Sequence, residues 1–274
     1  MQRVRRRTLL LVGTTTSAAA CASTPRERFD GTSAEPDDPY TYVALGDSIS
    51  IDQYAGGPGR GGSSLLARNL DDDFPQWRGR DLSAQDRRLR YHLLAVDGGT
   101  TRALLESQLP RLESSGVRPD VVTLTIGGND LLGAYGDTGS ARQIVRSVRV
   151  RVGQALGRLK RLMRTPDDPV VVGTVYDPSD GSGEAHRVGL PPWLDVVDIL
   201  ADLNAGLRAA AEDNGARIAE IHERFLGHGL RAGNPAQSNP RPDNRKLWYC
   251  RIIEPNAWGA DAVRASFWHA LQSR

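Results

Sequence analysis

The sequence predicts a doubly wound α/β domain, and two observations carry that prediction. Five short apolar runs, at 42–45, 92–96, 121–126, 170–176 and 216–221, are rich in Val, Ile and Leu with little alternation, as expected of strands buried on both faces. Stretches of helical periodicity lie between them, and strands alternating with helices build a parallel sheet covered on both sides.

Taken in order, the strands end in chemistry. Run 42–45 leads into Gly46-Asp47-Ser48. A serine at the carboxyl end of a central strand sits at the mouth of the usual ligand crevice of such a sheet. The same three residues also suit a turn or a helix cap, so they need company. Run 92–96 leads into Asp97-Gly98-Gly99-Thr100, and run 121–126 into Gly127-Gly128-Asn129-Asp130. A flavodoxin-like strand order brings the ends of the first and third strands close together. Acyl transfer puts negative charge on a former carbonyl oxygen. A glycine N–H and an asparagine amide are donors suited to face it.

The helical stretches have one stripe each. In 141–163 it is Ile144, Val145, Val148, Val152, Ala155, Leu156, Leu159 and Leu162. That segment, extended to residue 164, also carries seven arginines, one lysine and no acid. Contact with anionic lipid or envelope polymer would use such a face; the favoured reading is a solvated face whose arginine stems cover apolar surface. A second stripe spans 196–213 and stops near Asn214-Gly215, and a last helix follows Pro255-Asn256.

The N-terminus reads as targeting, not fold. Arg5-Arg6-Arg7 precede Thr8-Leu9-Leu10-Leu11-Val12, and small residues run to Ala18-Ala19-Ala20-Cys21. This is a positive, then apolar, then small-residue export signal over 1–21, with paired arginines that suggest the twin-arginine route. Cys21 resembles a lipobox cysteine, so lipidation there would hold the protein on the outer face of the cell membrane; ordinary cleavage near Ala20 would release it. The apolar run is far shorter than the ~20 residues of a membrane span. Residues 22–39 are rich in Pro, Ser, Thr, Asp and Glu and read as a solvated tether. Residues 40–274 remain for one domain with a substantial core.

Composition narrows the partners. The chain has a formal net charge of +2, but its first twenty residues hold four arginines and no acid, which leaves −2 on the rest. The basic balance belongs to the export signal, so no nucleic-acid partner is expected. Cys21 and Cys250 are the only cysteines, and Cys250 reads as a small buried apolar residue. No Cys/His spacing suits a metal, and no cofactor is expected. The loop Gly56-Gly57-Pro58-Gly59-Arg60-Gly61-Gly62 lacks the lysine of a phosphate-binding loop and reads as a flexible rim.

With these blocks in order, the chain resembles the SGNH (GDSL-type) hydrolase family over essentially all of residues 41–272. Gly46-Asp47-Ser48 matches its nucleophile block, Gly98 its glycine block and Gly127-Gly128-Asn129-Asp130 its asparagine block. The resemblance implies a three-layer α/β/α sandwich around a five-stranded parallel sheet, and metal-independent ester hydrolysis. Family members act on lipids, on acyl or acetyl groups of sugars, and on thioesters. It implies Ser48 as nucleophile, with the Ser48 N–H, the Gly98 N–H and the Asn129 amide as oxyanion hole.

The fourth block departs from the family. Its Asp-x-x-His is matched by Arg251-Ile252-Ile253-Glu254, in a register supported by the following Pro255-Asn256-Ala257-Trp258-Gly259. Three readings stand. Glu254 is the base, although a free Glu near pKa ~4.3 is weak at neutral pH; burial would raise it and Arg251 lower it. Or His228, in the glycine-flanked loop after the last strand, serves instead. Or the domain binds a cell-envelope ligand without hydrolysing it. Asp52, four residues past Ser48, would lie one turn away if a helix began at Ser48; it either orients substrate, holds Arg251 or another arginine, or caps the glycine-rich loop. Trp77, Trp193, Trp248 and Tyr249 are candidates for a sugar or acyl pocket, or for the core. The expected function is exported, serine-dependent ester hydrolysis of a small-molecule or envelope ester.

Overall fold

The computed structural model describes residues 38–186, 189–233 and 246–273. The export signal, Cys21 and residues 22–37 of the tether lie outside the described residues. Five parallel strands, β1 (Thr41–Gly46), β2 (Arg90–Leu93), β3 (Val121–Thr125), β4 (Val170–Gly173) and β5 (Arg217–Ala219), form one sheet in the order β2-β1-β3-β4-β5. That is the flavodoxin-like order. Gly46 at the end of β1 lies in register with Thr125 at the end of β3.

The pleat sorts each strand into two cores. Val43 and Leu45 of β1, with Val122 and Leu124 of β3, face one buried cluster; Tyr42 and Ala44, with Val121 and Val171, face the other. Helices α1 (Gly62–Ala67), α2 (Leu82–Gln85), α3 (Thr101–Ala103), α4 (Leu109–Ser115) and α5 (Gly128–Leu132) are short. The long helices α6 (Thr138–Leu162) and α7 (Val196–Asp213) supply Val148, Val152, Leu203 and Leu207 to the first cluster. After α8 (Ile221–Phe225), helix α9 (Ala257–Gln272) supplies Val263 and Phe267 to the second. Helices therefore cover both faces, which makes three layers. Burying a Leu or Val side chain in this way contributes about 1.5–3 kcal/mol. Among the described residues, no helix is long and apolar enough to cross a membrane.

Boundaries differ from the apolar runs where the chain leaves the sheet. Strand β2 begins at Arg90 and stops at Leu93, because Leu94 N–H and Ala95 N–H both turn to the Ala44 carbonyl and end the regular ladder. Strand β4 ends at Gly173; beyond it Asn204 of α7 brackets Val175, accepting from its N–H at 2.7 Å and donating to its C=O at 2.8 Å. The arginine-rich helix α6 finds its acids on other elements. Arg149 pairs with Asp213, Arg151 with Asp130 and Arg158 with Glu113, while Arg164, just past the helix, pairs with Asp120.

Candidate active site

The end of β1 is built around a glycine. Gly46 has φ +118°, and a Cβ there would lie 1.8 Å from the Thr125 carbonyl oxygen. The chain turns at once: Asp47 N–H donates to Thr125 O at 3.0 Å, and Ser50 N–H and Ile51 N–H donate back to the Asp47 and Ser48 carbonyls. Ser48 is thereby held at the sheet's carboxyl end on a turn, not a helix. Gln108 locks the turn from outside. Its Oε1 accepts from Gly46 N–H at 2.8 Å and its Nε2 donates to Gly46 O at 2.7 Å. It ends a π-helical turn, Leu104–Gln108, of the kind that often marks a functional site. Nothing local in the sequence signals this clamp.

Asp47 braces the turn. Its carboxylate accepts from Thr125 Oγ1 at 2.8 Å and from Ile49 N–H at 3.1 Å. Burial, with a smaller push from the Glu254 charge, raises its pKa to about 7 against the opposing effect of these hydrogen bonds.

The glycine and asparagine blocks converge on the same place. Val96 N–H donates to Gly46 O at 3.1 Å, which carries Gly98 to the end of β1. Thr100 caps α3 through its hydroxyl, and Thr101 donates from both N–H and Oγ1 to Asp130, at 2.8 and 2.6 Å. Asn129, in the first turn of α5, donates one Nδ2 hydrogen to Gly99 O at 3.0 Å. Its amide has a second hydrogen. Neither the Ser48 nor the Gly98 backbone N–H donates a hydrogen bond among the described residues. These N–H groups and the second Asn129 hydrogen are thus donors without a partner among the described residues.

The C-terminal segment brings the carboxylate. Strands β6 (Tyr249–Cys250) and β7 (Glu254–Pro255) pair antiparallel around a tight turn in which Arg251 adopts φ 53°. Tyr176 Oη donates to Ile253 O at 2.5 Å and pins that turn to the domain. Asn256 then caps α9, accepting from Trp258 N–H and Gly259 N–H. Glu254 ends half-buried, with its carboxylate near enough to Ser48 for that hydroxyl to act on its pKa. Its Oε2 is buried without a partner among the described residues. Burial raises the Glu254 pKa and the Asp97 charge adds to this, while the nearby Ser48 hydroxyl and the Arg251 charge oppose it. The Arg251 guanidinium lies over the Tyr54 ring at 5.1 Å, and Tyr54 Oη donates to Asp97 at 2.8 Å.

Other sequence candidates fall elsewhere. His228 is fully buried, its ring stacked 3.5 Å from the Trp248 indole, with Nδ1 2.7 Å from Lys246 O. The flanking glycines serve a packed turn; among the described residues no histidine lines the cleft beside Ser48. Asp52 does not extend a helix from Ser48. Its two oxygens accept from Gly59 N–H and Gly61 N–H, each at 2.8 Å, so it folds the glycine-rich loop. Trp77, Trp248 and Tyr249 pack in the core, and Trp193 alone of the four lines the cleft. Cys250 is half-buried, not wholly so, with its thiol directed at Tyr54 O. Among the described residues no three His, Cys, Asp or Glu side chains group as a metal site.

A cleft is lined by Ser48, Gly128 and Asn129. It continues between α5 and α7 along apolar walls that include Leu131, Val175 and Leu200.

The family model of the GDSL-like Lipase/Acylhydrolase family matches residues 44–262. No curated protein matches the chain. Among solved structures, an extracellular lipase from Streptomyces rimosus is 24% identical, with 84% of this chain and 99% of that one covered at a TM-score of 0.56. A catalytic mutant of an acetylxylan esterase from Geobacillus stearothermophilus is 14% identical, with 86% and 95% covered at a TM-score of 0.58. An alpha/beta hydrolase from the metagenome of Lake Arreo, Spain, is 22% identical, with 85% and 95% covered at 0.55. At these identities the likeness is one of fold.

Proposed function

The chain belongs to the GDSL-like lipase/acylhydrolase family, and on that premise we propose that it hydrolyses esters through an acyl-Ser48 intermediate, with Glu254 as the base. The observation that carries this reading is the nearness of the Glu254 carboxylate to the Ser48 hydroxyl, with Ser48 and Asn129 lining one cleft. In the attack, Glu254 takes the hydroxyl proton as Oγ bonds to the ester carbonyl carbon. The oxyanion is received by Ser48 N–H, Gly98 N–H and the free Asn129 amide hydrogen. Collapse of the tetrahedral intermediate breaks the bond to the alcohol, which leaves with the proton from Glu254. Water, deprotonated by Glu254, then adds to the acyl carbon; collapse breaks the bond to Ser48 Oγ, which takes the proton back from Glu254, and the acid leaves. In this reading Arg251 and Glu254 stand where the family has its aspartate and histidine. A carboxylate replaces an imidazole, and its raised pKa moves it toward the operating pH that general-base catalysis favours.

The sign of the pH dependence follows. Only ionised Glu254 can accept the proton, so the rate falls as pH drops through its raised pKa, above the ordinary 4.5. Asp97 helps raise that pKa and Arg251 lowers it. Asp97→Asn is therefore expected to move the acid limb of kcat/KM to lower pH, and Arg251→Gln to higher pH. Rates on p-nitrophenyl butyrate from about pH 4 to pH 9 report both limbs. Limbs that stay put, or that move the same way in both variants, would show that another group governs the rate.

A further inference from the structure

Resting on the ester-hydrolase reading, we infer that the substrate carries an acyl chain of about eight carbons rather than an acetyl group, and that Trp193 is the wall that sets its length. An acetyl ester needs little beyond the oxyanion donors and the serine. Here the cleft does not stop there. Its lining takes in Asn129, Leu131 and Tyr135 from α5 and the turn after it, and Trp193, Val196 and Leu200 from the start of α7 and the residues before it. Six residues of helix and helical turn separate Asn129 from Tyr135, which places the far wall roughly 10 Å from the oxyanion amide at ~1.5–2 Å per residue. About eight carbons fill that span. Beyond Ser48 and Asn129, the polar side chains along it are committed elsewhere: Asp47 to Thr125 and Ile49, Tyr135 to Pro191, Tyr176 to Ile253, and Asp177 and Ser179 to each other.

The wall is held in place. Trp193 is 5% exposed, and its backbone N–H donates to Gly183 O at 2.8 Å. Its indole Nε1–H donates to Thr138 Oγ1 at 3.2 Å, and that hydroxyl donates to Asp195 at 2.6 Å. Tyr135 meets the indole edge-on at a centroid distance of 5.2 Å, and its hydroxyl is tied to Pro191 O at 2.6 Å. An apolar ring pinned on several sides at the end of an apolar cleft is a fixed stop. It separates acyl chains that fit from those that must leave carbons in water.

The test is kcat/KM on p-nitrophenyl esters from acetate to hexadecanoate. Each buried methylene contributes about fourfold, so the rate constant should climb at least about hundredfold from acetate to octanoate and then fall for longer chains. Trp193→Ala should move the optimum to longer chains. Val196→Phe, a change at a half-buried position that fills the cleft from the side, should move it to shorter ones and guards against misfolding of the tryptophan variant. A wild-type profile that is flat or highest at acetate overturns the inference, as do variants that scale all lengths equally. If no ester is cleaved, the hydrolase reading fails on its own account. Calorimetric titration of Ser48→Ala with sodium octanoate and sodium acetate then decides the pocket: tight octanoate and weak acetate uphold it, and equal weak binding overturns it.

Discussion

Ser48→Ala is expected to reduce ester hydrolysis to background, and Glu254→Gln to lower kcat by about 10²–10⁴-fold, the usual contribution of a positioned base. Glutamine keeps the volume and a hydrogen-bonding oxygen beside Ser48, so folding should be preserved. Because the two residues act in one step, Ser48→Ala/Glu254→Gln should be no slower than Ser48→Ala alone. Circular dichroism beside steady-state rates on p-nitrophenyl butyrate would check this. An unchanged rate in Glu254→Gln would remove it as base. A wild type no faster than Ser48→Ala on every ester would favour a module that binds an envelope ligand in the same cleft.

Gly46→Ala should be the most damaging change to the fold. A Cβ would sit 1.8 Å from Thr125 O at a backbone φ of +118°, so both sterics and torsion oppose it. The backbone cannot withdraw, because Gly46 is paired in register with Thr125 and held on both sides by Gln108. A loss above about 4 kcal/mol is expected, in the range reserved for severe core or backbone defects. Gly98→Ala is the control: φ is +67° but nothing lies within 4 Å of a Cβ there, so only about 1–2 kcal/mol should be lost. Urea denaturation of both variants measures the contrast. A Gly46→Ala protein within about 1 kcal/mol of wild type would mean that this turn is more yielding than its geometry implies.

Much of this site is written locally. A turn that needs positive φ is spelled with glycine, as at Gly46, Gly98 and Gly127. In the proposed mechanism the uncharged oxyanion donor is an asparagine, and Asn129 occupies the first turn of α5 after a buried strand. Alternation of apolar runs with helical stripes predicts the three layers, because a strand buried on both faces must be apolar throughout. The boundaries of α7, at Val196 and Asp213, follow from its stripe and from the Asn214-Gly215 stop.

What the chain by itself determined, then, was the fold class and the serine, glycine and asparagine blocks that follow the first three strands. Each depends on residue type and short-range periodicity, which are visible in one dimension. Tertiary structure alone decided the rest. Gln108 clamps Gly46 across 62 positions, and Trp193 is tethered to Thr138 across 55. Glu254 reaches Ser48 only because a hairpin pinned by Tyr176 folds over the end of the sheet. His228, plausible as a loop histidine, is instead stacked on Trp248. Such outcomes rest on packing between distant segments, where a side chain's role is set by which surface it meets and how deeply it is buried.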